Sequence, residues 1–490
     1  MKREKNLKLN AVMNAVLTMS SFLFSLITYP YAARVLGPAG TGRVLFVHSL
    51  TTYFTMFAQL GIPVYGVRAL AAVRDDREAL TRTAQELFLL NLLMTALSYL
   101  LLFAGIFLVP ALRTEKTLII LMSACMLLSA IGMEWMYMAM EDYTLMAVRS
   151  LVFKLAALLL MFFLVRAEGH VLRYGAVLTL ALYGYHLVNL VTFRRYIRLR
   201  PERGLRIFRH FRPMLTFFLM SFAVTVYTNL DTLMLGFMKG ETETGYYGTA
   251  AKIKTALSAV VTSLGSVLLP RASYFVEKKR FEEFREMSRK ALSVVFMIAP
   301  AAALYFFLYA QEGVLLLGGP EFLPGTAALR ILMPTIVLIG ITNILGMQIL
   351  VPLRREKAVF LSEVLGALTD LLLNFLLIPR FSGAGAAIGT LAAEAVVLLV
   401  QALALKDRLR ELFSGIPYLR ILLAVVIAGG LSYSVRFLPV SGIPLLLLSA
   451  AVFFGSGLLL LYLLRVEVFR ELLSGMTRRI FRGKAPDDGK

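Results

Sequence analysis

One cysteine, Cys125, stands in 490 residues, so neither a disulfide framework nor a cysteine-based metal site can be built from this sequence. Histidine is scarce as well. His48, His170, His186 and His210 lie far apart and show no HExxH or related metal-binding spacing. Charged residues make up only 17% of the chain, and acids are outnumbered 30 to 51 by Lys and Arg, for a net charge of +21. What fills the chain instead is apolar: 59% hydrophobic residues and a mean hydropathy of +0.76. A water-soluble globule would leave much of that area uncovered, so the solvent has to be lipid. The excess of positive charge does not mark a nucleic-acid surface. Most basic residues fall in short segments between apolar runs, where they set membrane orientation.

Apolar runs near 20 residues long place spans at about 11–36, 44–65, 86–110, 117–139, 150–166, 174–193 and 214–238. A second set falls at about 246–269, 291–311, 327–351, 358–378, 385–404, 420–437 and 443–464. The first run is too long for a signal-peptide core and is expected to stay in the protein. With both termini inside, about 38 of the 51 Lys and Arg fall on the cytoplasmic side and about 9 on the outer side, so helix count and orientation support each other. The expected fold is an all-α polytopic membrane protein of about 14 transmembrane helices.

The basic segment RRYIRLRPERGLRIFRHFRP, Arg194 to Pro213, sits midway along the chain, where a linker between two lobes belongs. It reads first as a solvated topology signal, with anionic lipid headgroups as a further contact. The expected division is an N-terminal lobe over 1–200, the linker at 201–213, a C-terminal lobe over 214–405, and two last spans with a basic tail over 406–490. A weak repeat supports it. RVLGPAGTGRVLFVHSL (Arg34 to Leu50) and MLGFMKGETETGYYGTAAKI (Met234 to Ile253) each join a span, a short turn with glycine near its start, and Thr-Gly opening the next span. An even number of helices per lobe gives parallel repeats about an axis along the membrane normal, which suits alternating access.

Ionisable side chains inside spans cost about 2.5–3.5 kcal/mol each on insertion scales and should face a cavity or pair. Asp231 on the seventh span and Lys252 or Lys254 on the eighth could form a structural ion pair. Alternatively, the lysines line a cationic cavity for a pyrophosphate or acidic sugar while Asp231 serves a coupling ion. Glu134 and Lys154 have similar depth and are expected to pair structurally. Glu363, Asp370, Asn374 and Glu394 on the eleventh and twelfth spans gather acids with only Arg330 as an obvious cation, which calls for protonation or a bound H+ or Na+. Arg34, Arg43, Arg68 and Arg149 lie at the interface on these boundaries, as anchors first and as phosphate contacts second. His48 and His186 read as satisfied polar contacts, Pro30 as a kink in the first span, and Trp135 with Tyr137 as an interfacial aromatic belt.

Three strings carry a resemblance. RVLGPAGTGRVLFVHSLTTYFTMFAQLGIPVYGVRALAAVRDD (Arg34 to Asp76) resembles the N-terminal signature of polysaccharide flippases of the Wzx type, within the multidrug/oligosaccharidyl-lipid/polysaccharide (MOP) exporter superfamily. YTNLDTLMLGFMKGETETGYYGTAAKI (Tyr227 to Ile253) looks like that family's seventh and eighth helices, including Asp231 and Lys252, and LNFLLIPRFSGAGAAIGTLAAE (Leu373 to Glu394) is similar to its eleventh and twelfth. Asp370 stands where the family commonly has Asn. The resemblance implies two six-helix lobes plus two C-terminal helices, a MATE-like fold, around a cavity with cationic lining. Lys252, Lys254, Arg34, Arg68, Arg149, Lys154 and Arg330 are the candidates for that lining, with Asp231, Asp370, Asn374, Glu363 and Glu394 for ion coupling. The implied substrate is an undecaprenyl-linked glycan carried to the outer leaflet of a bacterial cytoplasmic membrane. A polymerase and glycosyltransferases would be pathway partners, no nucleic acid or resident cofactor is needed, and a monomer is sufficient.

Two relatives compete: a peptidoglycan-precursor flippase with the same helix plan, and a drug or cation exporter, which usually has twelve helices. A membrane glycosyltransferase or polymerase would need a large outer loop for its active site. The longest outer connection here is about 15 residues, near Gln311 to Gly325.

Overall fold

With no water in the hydrocarbon to satisfy peptide groups, apolar runs of this length are stable only as helices. The computed structural model describes residues 7–197, 204–471 and 473–474, and no strand occurs among them. In chain order the α-helices are α1 (Leu7–Gln59), α2 (Ile62–Ala72), α3 (Arg77–Leu108), α4 (Pro110–Thr114), α5 (Lys116–Met122), α6 (Ala124–Gly132), α7 (Glu134–Ala139), α8 (Tyr143–Leu164), α9 (Val171–Tyr183) and α10 (His186–Thr192). They continue as α11 (Phe211–Lys239), α12 (Glu241–Glu277), α13 (Phe281–Leu308), α14 (Ala310–Leu317), α15 (Thr326–Asn343), α16 (Glu356–Ala404), α17 (Lys406–Phe413), α18 (Tyr418–Tyr433) and α19 (Ile443–Leu463). A π-helical turn, Ile344–Leu350, extends α15.

Among the described residues nine helical stretches are long and apolar enough to cross a membrane, or eleven when two bent pairs are included. Helix α16 has 49 residues, about 73 Å at ~1.5 Å per residue, against ~30 Å of hydrocarbon. It makes two passes. The break falls at Ser382 (φ +50°), as that of α1 falls at Gly37 (φ +67°), where glycine carries a left-handed conformation at little cost. With these divisions and α11 the architecture is consistent with the expected 14 spans. Large apolar side chains such as Leu100, Phe107, Phe163, Leu372, Phe375 and Leu447 point outward, the pattern of a surface solvated by lipid.

Packing groups the chain into two compact units, residues 1–248 with 317–322 and residues 249–316 with 323–490. The boundary lies inside α12, beyond the basic linker, because α11 packs on α1 within the first unit. Residues 198–203 of the basic segment and the tail from 475 onward lie outside the described residues.

In the first unit one core gathers Leu36, Val47, Leu102, Ile119, Met126 and Met161, and another gathers Ile62, Leu70, Leu87, Leu90, Trp135 and Tyr137. Trp135 and Tyr137 are therefore core residues, not an interfacial belt. Gly66 of α2 makes room for the indole: a methyl group there would come within 3.2 Å of the ring. Asp76 starts α3 by accepting the amides of Glu78 (2.9 Å) and Ala79 (3.1 Å).

In the second unit α18 and α19 dock on α13 through buried tyrosines. Tyr305 donates to the Leu446 carbonyl (2.8 Å) and Tyr309 to that of Ser432 (2.6 Å). Between α12, α13, α18 and α19 lies an apolar cavity of about 410 Å³, lined by residues such as Val261, Met297, Phe306, Ala428, Phe453 and Leu461. The two passes of α16 form a tight hairpin, in which a Cβ at Gly385 would lie 2.5 Å from the Leu377 carbonyl oxygen.

Candidate functional site

The first unit holds a buried charge cluster built by α7, α8 and α10. Arg149 projects from α8 into the protein and is only 4% exposed. Its guanidinium lies 4.3 Å from the centre of the Tyr137 ring and 5.5 Å from that of Tyr185. Neither Nε nor either Nη has a hydrogen-bond partner. Lys154, five residues further along α8 and equally buried, donates to Ser20 (3.0 Å) and Ser21 (2.6 Å) of α1. Glu134 accepts from the Tyr185 hydroxyl (3.0 Å).

The expected Glu134–Lys154 ion pair is not formed. The serine hydroxyls and Tyr185 have taken the two groups separately, leaving two buried cations facing one carboxylate. Nor is Arg149 an interfacial anchor: α8 carries it inward, where an unpaired charge costs several kcal/mol unless something binds it. His186, expected to be a satisfied contact, is buried with Nδ1 unpartnered, as is Asn189 Oδ1 on the same helix. Buried donors without partners beside aromatic faces can take an oxyanion, with the sugar or lipid attached to it resting on the rings.

The other candidate cations are placed differently. Arg34 is exposed and donates to the Pro30 carbonyl (3.0 Å). Arg43 holds Glu115 through two bonds, at 2.8 and 3.0 Å, as a structural clamp. Arg68 and Arg330 are exposed, and no ion pair joins Arg330 to Glu363, Asp370 or Glu394. Lys252 and Lys254 are half-buried on α12, in the second unit. Asp231 belongs to the first unit, nine-tenths buried, and accepts a hydrogen bond from the Tyr247 hydroxyl.

The acidic set of α16 does assemble in part. Asp370 and Asn374, one turn apart, both face Gly389 of the returning pass. A methyl group at Gly389 would overlap Asn374 Oδ1 and come within 3.0 Å of Asp370 Oδ1. Both residues are buried, as is Glu394, while Glu363 is half-buried. Among the described residues no group of three or more His, Cys, Asp or Glu has the arrangement of a metal site. What α16 offers is a carboxylate and an amide oxygen one turn apart, both turned to the returning pass.

Two features escaped the sequence reading. Glu86 of α3, fully buried, binds Arg209 (2.6 Å), His210 (2.9 Å) and the amide of Arg206 (2.8 Å), while Tyr65 bonds the other ring nitrogen of His210 (2.8 Å). The end of the basic segment is thus tied down and not simply solvated. The lone acid in an apolar run was the available signal. In the second unit Gln348, on the π-helical turn, and Gln401 are buried, and Gln401 bonds Ser362 (3.3 Å). Both Gln348 side-chain atoms lack partners. Amides inside apolar runs were the available signal.

The apolar outer faces, the paired passes and the buried charges define a multi-pass helical membrane protein of the transporter type. The family model for polysaccharide biosynthesis proteins matches residues 7–276, more than half of the chain, and the chain belongs to that family. The MatE model matches residues 217–376. A provisionally named O-antigen transporter of Escherichia coli K12 is 24% identical over 394 residues, covering 80% of this chain and 95% of the relative. The Haloferax volcanii protein AglR, provisionally named a flippase, is 29% identical over 181 residues, 36% of this chain and 38% of that one. In fold the chain is similar to the lipid II flippase MurJ in an inward closed conformation (TM-score 0.74, 13% identity, 94% of this chain and 100% of the other). It is also similar to an inward-facing multidrug MATE transporter of the MOP superfamily (TM-score 0.59, 14% identity, 81% and 98%).

Proposed function

We propose that this protein is a flippase that carries a polyprenyl(pyro)phosphate-linked oligosaccharide repeat unit from the cytoplasmic to the outer leaflet, for surface polysaccharide assembly. Arg149 carries the reading: a buried guanidinium with no hydrogen-bond partner, two tyrosine rings beside it and Lys154 close along the same helix. That is what an anionic headgroup with a sugar attached would need. The name of the Escherichia coli relative, which spans most of both chains, favours an oligosaccharide as the cargo. The apolar cavity between α12, α13, α18 and α19 suits a hydrocarbon chain. Asp370, Asn374 and Glu394, with Asp231 and Glu363, would couple transport to H+ or Na+. The protein would act as a monomer in a bacterial cytoplasmic membrane with both termini inside, alongside the glycosyltransferases and polymerase of one pathway.

Deleting the gene in its host and analysing the extracted lipids by mass spectrometry tests this. A short lipid-linked repeat unit that accumulates while a surface polymer is lost is the expected result. Accumulated lipid-linked muropeptide would reassign the protein to peptidoglycan-precursor transport, and altered drug sensitivity with no lipid-linked intermediate would make it an exporter.

A further inference from the structure

Three elements of the second unit change character where they meet. α12 carries no charge from Thr255 to Pro270 and turns basic at Arg271. α13 is charged up to Lys290 and uncharged from Ala291 to Leu308, and the uncharged run of α19 ends at Arg465. Such a switch marks the level at which hydrocarbon gives way to lipid headgroups. At that level, between the end of α12, the start of α13 and the segment 465–471, lies a cleft of about 550 Å³. Leu268, Met287, Ala291 and Val294 form its apolar part, and Arg271, Arg280, Lys290, Glu283, Glu286 and Glu471 its charged part.

The charges sum to zero but are unevenly spread. Arg280 and Glu283 neutralise each other (2.7 Å). Lys290 lies 3.0 Å from Glu286 and 3.0 Å from Glu471, so one ammonium serves two carboxylates and a negative charge is left over there. Arg271 stands over the Phe275 ring, 5.5 Å from its centre, and among the described residues no carboxylate pairs with it. The cleft is therefore dipolar, positive on the α12 wall and negative where α13 meets the segment 465–471. An anion would meet the carboxylates and a cation the guanidiniums, whereas a ligand carrying both charges suits both walls.

We infer that this cleft binds the headgroup of an ethanolamine phospholipid, with its phosphate on Arg271 and Arg280 and its ammonium between Glu286 and Glu471. The apolar part of the cleft lies on the hydrocarbon side, where the acyl chains belong. A primary ammonium donates N–H groups to carboxylates. A trimethylammonium has none to give and is held by aromatic faces instead. Phe275 is the one ring lining the cleft among the described residues, and Arg271 and Arg280 (5.2 Å) already occupy it. The bound lipid would pin the segment 465–471 to α12 and α13, where the exposed Lys290–Glu471 pair contributes little by itself. None of this depends on what the protein transports.

Thermal unfolding of the full chain in detergent, titrated with dioleoyl lipids that differ only in headgroup, tests the site. Phosphatidylethanolamine should raise the midpoint with the logarithm of its concentration. Its apparent affinity should be about tenfold above that of phosphatidylcholine or phosphatidylglycerol, and should fall stepwise through the mono- and dimethylated headgroups. Arg271→Gln and Glu286→Gln, both at exposed positions, should each bring the ethanolamine lipid down to the phosphatidylcholine value while leaving the lipid-free midpoint unchanged. Equal affinities for these headgroups, or a preference for phosphatidylglycerol, would overturn the inference on the parent protein alone, whatever the variants do. A preference that survives both substitutions would overturn this site. Free phosphoethanolamine acting as strongly as the lipid would overturn the lipid and make the ligand a soluble zwitterion.

Discussion

Arg149 is stacked 4.3 Å from the centre of the Tyr137 ring, and none of its three guanidinium nitrogens is hydrogen-bonded. Tyrosine faces offset part of the cost of burying a cation, about 2 kcal/mol or more for a desolvated contact, but satisfy none of its five donors. On the proposed function, an anionic headgroup would supply the partners that these donors lack.

Replacing Arg149 by Met is therefore expected to leave the fold intact and not to lower its stability, since it removes a buried cation without a hydrogen-bond partner while Lys154 remains to balance Glu134. Thermal unfolding in detergent checks this. Pyrophosphate should raise the midpoint of the parent protein and not that of Arg149→Met. A variant that unfolds early would make Arg149 a structural residue.

Glu86 serves the opposite purpose. It is fully buried and ties Arg209, His210 and the Arg206 amide to α3. Glu86→Ala leaves these groups without an acceptor and should cost about 1–3 kcal/mol. The segment from Gly204 to His210 should exchange its amide hydrogens faster in this variant, with the rest of the protein little changed. Unaltered exchange there would contradict the anchoring role.

Asp370 and Asn374 present oxygen atoms to Gly389. If they serve the coupling ion, either Na+ or mild acid should raise the unfolding midpoint, by an amount that grows with the logarithm of ligand concentration. Asp370→Asn should abolish that rise, and Gly389→Val should do so by displacing both oxygens. Equal midpoints in Na+, K+ and acid for the parent protein would remove ion coupling from this pair.

Glycines in these helices divide by what surrounds them. Gly430 in α18 has nothing within 4 Å of its Cβ position, so Gly430→Ala should stabilise by about 0.5–1 kcal/mol through helix propensity. Gly66 has the Trp135 ring at 3.2 Å, so Gly66→Ala should show none of that gain. Denaturation of the two variants side by side decides it.

The sequence carried the helical architecture because apolar runs near 20 residues have one solution in lipid, and basic segments between them count the crossings. Side-chain partners were harder. Glu134 and Lys154 lie at matching depth, yet depth says nothing of helix rotation, and each found a hydroxyl instead of the other. Arg149 was drawn to the interface by its position near a span boundary, when the face of α8 it occupies points inward. Glu86 and His210 are 124 residues apart, and only tertiary structure brings them within 3 Å.

Flipping of a polyprenyl-diphosphate-linked oligosaccharide in sealed vesicles, read as protection of the glycan from an added glycosidase, tests the central claim most directly. Vesicles with the parent protein should equilibrate the glycan between leaflets, while those with equally folded Arg149→Met should leave it on the side where it was placed. Equal rates for the two proteins, or no movement above protein-free vesicles for either, would contradict the account.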